Sequence, residues 1–141
     1  MDIVEIQNEI VEEFSVFDDW LEKYEYLMEF GAGMPRIAED RKTESNLIRG
    51  CQSRVWLDAE MDSEGRIQFS ADSDALITQG IVALLLKVLN NRTPDEIINS
   101  DLFFLEKIGL KENLSPTRAN GLLAMLKQMK LYAIAFSEIK K

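Results

Sequence analysis

The sequence contains no histidine, and Cys51 is its single cysteine. Without histidine the chain has no Ser-His or Cys-His nucleophilic pair and lacks the ligands of the common zinc sites. One cysteine forms no disulfide within the chain and supplies too few thiolates to hold an iron–sulfur cluster. Composition therefore excludes these classes of enzyme and metalloprotein, and we expect no metal site.

Long apolar runs are also missing. The longest one, from Ile81 to Leu86, stops at Lys87 and is far too short to cross a bilayer. The first turn, Met1 to Glu5, carries acids where a secretory signal carries lysine or arginine. We therefore expect a cytoplasmic protein with no membrane partner.

Positive charge is scarce in the first third of the chain. The net charge is −9, and residues 1–44, with 13 acids and 4 bases, account for all of it. Such an acidic surface repels the phosphates of nucleic acids, so we expect no nucleic-acid partner. The simplest role of these acids is to keep the surface soluble.

Apolar spacing predicts two helices at the start of the chain. Asp2 and Glu5 have the spacing of a capping box before the first helix. Two acids, residues 18–19, precede the second helix, and Gly31 is expected to end it as a left-handed cap. Residues 34–45 are then predicted to form an exposed connection, because they combine proline with many charges.

Alternation of apolar and polar residues predicts two strands, over residues 55–61 and 67–71, joined by a turn at 62–65. Leu47 to Arg49 is expected to add a short third strand. Cys51 would then lie in the loop between two strands.

Helical periodicity returns over residues 75–89, where the high apolar content predicts a central helix and Gly80 predicts a close packing contact. The acids Asp72 and Asp74 are expected to cap its start together with Ser73, with metal binding by the two acids as the alternative. Further helices are expected to begin at Pro94, Asp101 and Pro116. No second domain is visible, so residues 1–141 are expected to form one domain.

Cys51 lies in an acid-free stretch from Asn46 to Leu57 and is flanked by Arg49 and Arg54. Nearby positive charge favours the thiolate, which is the reactive form of cysteine. A buried structural cysteine is the alternative. Gly50 permits a sharp turn of the backbone. Gln52 and Ser53 provide hydrogen-bond donors for a thiolate or persulfide.

A reactive thiol without a base or a second cysteine has few options. It can attack a sulfur presented by another protein, because exchange at sulfur needs a thiolate and access rather than a base. The product is a persulfide, which is a reversible cap on cysteine. The residues therefore favour a sulfur carrier over a one-cysteine thiol peroxidase, which normally needs a base or a peroxide-stabilising pocket.

Several ordered segments carry a family resemblance. Gly50 to Trp56 resembles the signature of the SufE family of sulfur acceptors, which includes the CsdE proteins. Residues 72–75, 93–97 and 114–122 resemble further segments of that family in the expected order, and Trp20 to Tyr24 also fits. The resemblance covers nearly the whole chain.

The resemblance implies an α+β fold similar to that of the scaffold protein IscU, with a small antiparallel sheet of about three strands packed with several helices. It implies that Cys51 accepts sulfur from a cysteine desulfurase of the SufS or CsdA type and stimulates that enzyme. Pyridoxal phosphate belongs to the desulfurase, so no cofactor is expected on this chain. The chain would be a sulfur-transfer accessory protein rather than a stand-alone enzyme.

Two further points follow from the resemblance. Arg118, at the start of the last helix, is a candidate contact with the desulfurase, and a solvated arginine at a helix end is the alternative. The sulfur would pass to an iron–sulfur scaffold or another acceptor, with clusters, thiolated tRNA and other cofactors all open as destinations. The rival function is a non-catalytic module that activates the desulfurase without using the thiol.

Overall fold

The computed structural model describes residues 2–50 and 53–140 and has an α+β fold, as expected from the sequence. Two strands, β1 (Val55–Met61) and β2 (Ile67–Ser73), form an antiparallel sheet in which Val55 pairs with Ser73 and Met61 with Ile67. None of the described helices is long and apolar enough to span a membrane. The helices are α1 (Ile3–Ser15), α2 (Trp20–Ala32), α3 (Leu76–Leu89), α4 (Pro94–Ile98), α5 (Phe104–Lys107) and α6 (Pro116–Lys140).

Helix α3 lies at the centre of the molecule, and ten of its 14 residues are buried. It packs against α1, α2 and α6 as well as against β2. A helix that is mostly apolar needs such cover, although Leu76 at its start is 64% exposed and Lys87 reaches solvent. The prediction of a central helix is confirmed.

Gly31 and Gly80 meet where α2 crosses α3. A Cβ atom on Gly80 would lie 2.7 Å from the carbonyl carbon of Leu27, and one on Gly31 would lie 2.9 Å from the Gly80 nitrogen. The close contact predicted at Gly80 is therefore confirmed. The left-handed cap predicted at Gly31 is wrong, because Gly31 lies inside α2, where the crossing leaves no room for a side chain.

The third strand predicted at residues 47–49 is reduced to a single bridge, in which Leu47 lies opposite Trp56. Next along β1, the hydroxyl of Tyr132 in α6 donates to the carbonyl oxygen of Leu57 (3.4 Å). Burial raises the pKa of Tyr132. Among the described residues the sheet thus has two strands, and Leu47 adds only a bridge beside β1.

The connection predicted to be exposed at residues 34–45 begins by packing along β2. The amide of Ala71 donates to the carbonyl oxygen of Pro35 (3.1 Å), and the amide of Ile37 donates to that of Ala71 (3.2 Å). Met34 and Ile37 are buried beside the sheet. The prediction is wrong for this part, because the backbone here completes hydrogen bonds at the edge of β2.

Ion pairs hold the rest of this connection to the sheet. Arg41 contacts Asp58 at 2.9 Å and Lys42 contacts Asp72 at 2.8 Å. The hydrogen bond from Arg41 holds the pKa of Asp58 below its usual value. Asp72 therefore forms ion pairs with basic side chains of this connection, Lys42 and Arg36. The capping of α3 predicted for the acids before it is wrong, since its N-cap is Ala75, which makes no side-chain capping bond.

Helix α5 is shorter than the helix predicted from Asp101, although α4 and α6 begin at the prolines predicted for them. The buried side chain of Gln7 explains the late start. It donates to the carbonyl oxygen of Asp101 (3.1 Å) and accepts from the amide of Phe104 (3.2 Å). These contacts of Gln7 occupy the carbonyl oxygen of Asp101 and the amide of Phe104, so α5 begins only at Phe104.

Candidate functional site

The segment from residue 49 to residue 54, which we name the cysteine loop, is closed at its base. The amide of Ile48 donates to the carbonyl oxygen of Val55 (2.8 Å), so the residues before and after the loop are joined. Cys51 and Gln52, two of the residues predicted to form the site, lie outside the described residues. The surroundings of the site are given by the other loop residues and by the elements that they contact.

Gly50 turns the loop against α6. Its φ angle of 94° lies in the left-handed region, which favours glycine because it lacks a Cβ atom. A Cβ atom placed there would lie 3.6 Å from the Cβ atom of Ala124 in α6. The sharp turn expected at Gly50 is present, and it brings the loop onto the helix.

Asp74 holds the other end of the loop. The amide of Arg54 donates to the Asp74 carboxylate (3.0 Å), and the amide of Asp74 donates to the Arg54 carbonyl oxygen (3.3 Å). Asp74 was expected to cap α3, and this role at the loop was not predicted. A signal was available, because residues 72–75 form one of the segments that resemble the SufE family.

A small cleft separates the end of the loop from the start of α6. Ser53 is half-buried in it, and Arg118 reaches it from the first turn of α6. The structure thus brings together two residues that were predicted from distant parts of the chain. The remaining lining residues were not predicted: Thr78, Ile81, Thr117, Gly121 and Met125.

The arginines around the loop are not neutralised by carboxylates of the described residues. The guanidinium groups of Arg49, Arg54 and Arg118 form no ion pair with any residue in that part of the chain. Their positive charge favours the thiolate form of a nearby cysteine. The Asp74 carboxylate opposes this effect, although it accepts a hydrogen bond from the Arg54 amide. Among the carboxylate side chains of residues 2–50 and 53–140, no cluster is placed to hold a metal ion.

Comparisons with known proteins identify the family and the fold of this chain. A family model described as SufE, an Fe-S metabolism associated domain, matches residues 8–133. An uncharacterised SufE-like protein of Rhizobium etli is 40% identical over 127 residues, which cover 87% of this chain and 86% of that protein. The solution structure of a hypothetical protein from Thermus thermophilus has a TM-score of 0.77 at 20% identity, covering 94% of this chain and 96% of that one, and shows a shared fold.

Removing the Asp74 side chain should loosen the cysteine loop. We predict that Asp74→Ala increases the rate at which iodoacetamide alkylates Cys51 by about fivefold, because a lost hydrogen bond costs about 1 kcal/mol. The matched control is Asp74→Asn, which removes the charge but keeps an acceptor for the Arg54 amide. Equal rates in Asp74→Asn and Asp74→Ala would assign the effect to charge, and an unchanged rate in Asp74→Ala would show that the bond does not restrain the loop.

Proposed function

This chain belongs to the SufE family, whose domain is associated with iron–sulfur metabolism, and on that premise we propose that Cys51 accepts sulfur from a cysteine desulfurase. The observation that carries the proposal is the family match over residues 8–133, a range that contains the single thiol of the chain. The partner is a desulfurase of the SufS or CsdA type, whose pyridoxal phosphate releases sulfur from cysteine. The accepted sulfur then passes to an iron–sulfur scaffold or another acceptor.

The transfer is an exchange at sulfur. The Cys51 thiolate attacks the outer sulfur of a persulfide on the desulfurase, and a new S–S bond forms on Cys51. The S–S bond of the donor breaks, and its electron pair leaves on the donor cysteine as a thiolate. No external oxidant or reductant is needed, since one persulfide is exchanged for another.

The loop residues have separate supporting roles in this proposal. Arg49 and Arg54 favour the thiolate, and their exposed side chains leave them free to do so. Gly50 supports the turn on α6, while Gln52 and Ser53 supply hydrogen-bond donors to the thiolate or persulfide. Arg118, which lines the cleft beside Ser53, contacts the desulfurase.

We predict that Arg49→Ala and Arg54→Ala raise the pKa of the Cys51 thiol, because each removes a positive charge that favours the thiolate. The folded protein should then need a higher pH to reach the same ultraviolet absorbance of the thiolate, which is the form that the substitutions disfavour. Because the two side chains need not point the same way, one substitution is expected to have the larger effect. Unchanged titrations in both variants would refute the electrostatic role.

We predict that Cys51→Ser binds the desulfurase nearly as well as the unaltered protein but does not accelerate its turnover with L-cysteine. Serine is close to cysteine in size, whereas an alcohol is a far weaker nucleophile than a thiolate at neutral pH. Binding is measured by titration calorimetry and turnover by release of alanine. If Cys51→Ser stimulates turnover as strongly as the unaltered chain, the protein activates the desulfurase without carrying sulfur.

A further inference from the structure

A groove of about 520 Å³ runs along α6 beside the cysteine loop. One wall is the segment from Glu44 to Arg49, which leads directly into the loop. We name this feature the α6 groove. The opposite wall is formed by residues of α6, namely Ala124, Lys127, Gln128, Leu131 and Tyr132.

Positive charge lies on both walls of the α6 groove. Neither Arg49 nor Lys127 forms an ion pair with any residue that the structure describes. Glu44 supplies the one carboxylate among the lining residues. In a chain with a net charge of −9, two such cations facing the same groove are complementary to an acidic partner.

The shape of the α6 groove fits a short extended polypeptide. Ala124 and Tyr132 are eight residues apart on the helix, or about 12 Å, which is the length of about four residues of extended chain. Leu131 is 46% exposed and offers an apolar contact within this length. Half of the lining residues are polar, unlike the mostly apolar pockets that enclose small molecules.

We propose that the α6 groove binds an extended, acidic segment of the cysteine desulfurase. This assignment rests on the proposed function, because it concerns how the desulfurase that donates the sulfur is held at the cysteine loop. Gly50 of the cysteine loop packs over Ala124 at the end of the groove. A segment lying in the groove would therefore hold the desulfurase beside the cysteine loop.

The test uses two substitutions in the α6 groove, Lys127→Glu and Leu131→Asp. Each should raise the concentration of this protein that gives half-maximal stimulation of the desulfurase by about fivefold, as expected for a charge at the rim of an interface. The substitutions should change this half-maximal concentration and leave the maximal rate of the stimulated desulfurase unaltered. Added salt should weaken the unaltered protein more than Lys127→Glu, because the lost attraction is electrostatic.

Matched controls are Lys23→Glu and Leu21→Asp, which make the same changes on α2, where Leu21 is 70% exposed. Thermal unfolding checks that all four variants fold. Half-saturation equal to that of the unaltered protein in both groove variants would overturn the proposal. It would also be overturned if the groove variants accept sulfur normally and slow only its release, since the groove would then serve the downstream acceptor.

A photo-crosslinking residue placed at Gln128 locates the occupant directly. It should crosslink to a desulfurase peptide that contains Asp or Glu, whereas crosslinking to a peptide without carboxylates would contradict the assignment. The two proposals fail separately. If Cys51 gains no sulfur in the unaltered protein, the proposed function fails; if Cys51 is loaded but the groove variants match the controls, the groove assignment alone is lost.

Discussion

Burial of most of α3 is the constraint on which the position of the cysteine loop depends. Each fully buried leucine or isoleucine of this helix contributes about 1.5–3 kcal/mol relative to exposure, so its neighbours are strongly held. Two of those neighbours are β2 and α6. The loop leads into β1, which pairs with β2, and it rests on α6 through Gly50 and Ala124. The same helix therefore sets both the base of the loop and the surface beneath it.

The described ends of the loop are held by hydrogen bonds. Ile48 bonds to Val55 at the base, and Asp74 exchanges two bonds with Arg54. The side chains of Arg49 and Arg54 form no ion pair with the described residues and can therefore favour a nearby thiolate, whereas Arg41 is paired with Asp58. Residues 1–44 hold 13 of the 25 acids of the chain and account for all of its net negative charge. An acidic partner would be attracted to the loop and repelled by α1 and α2.

The sequence predicted those features that depend on local spacing. The periods of 3.6 and 2 located α3, β1 and β2, and the glycine within α3 marked the close contact with α2. The roles of Asp72 and Asp74 were missed because their partners, Lys42 and Arg54, are separated from them in sequence by 20 residues or more. Residues 34–37 were misjudged for a similar reason, since their backbone partner is in β2.

In the candidate site, too, local features were predicted and contacts between distant residues were not. Cys51, Arg49 and Arg54 were identified from their chemistry and from the family signature, which depend on residues close together in the sequence. The surface beneath the loop was not: Thr117 and Gly121 were marked only as part of a family segment, and Ala124 is an ordinary residue of a long helix until packing brings it to the loop. Spacing along α6 gave no sign of which of its residues would adjoin the loop.

The most direct measurement is the mass of the intact protein after incubation with L-cysteine and a SufS-type desulfurase. The chain has one thiol, so the account predicts a gain equal to one sulfur atom, located on the peptide that contains Cys51. The gain should disappear on treatment with a reductant, because the sulfur is held as a persulfide. A desulfurase that is stimulated by this protein while the protein gains no sulfur would contradict the account.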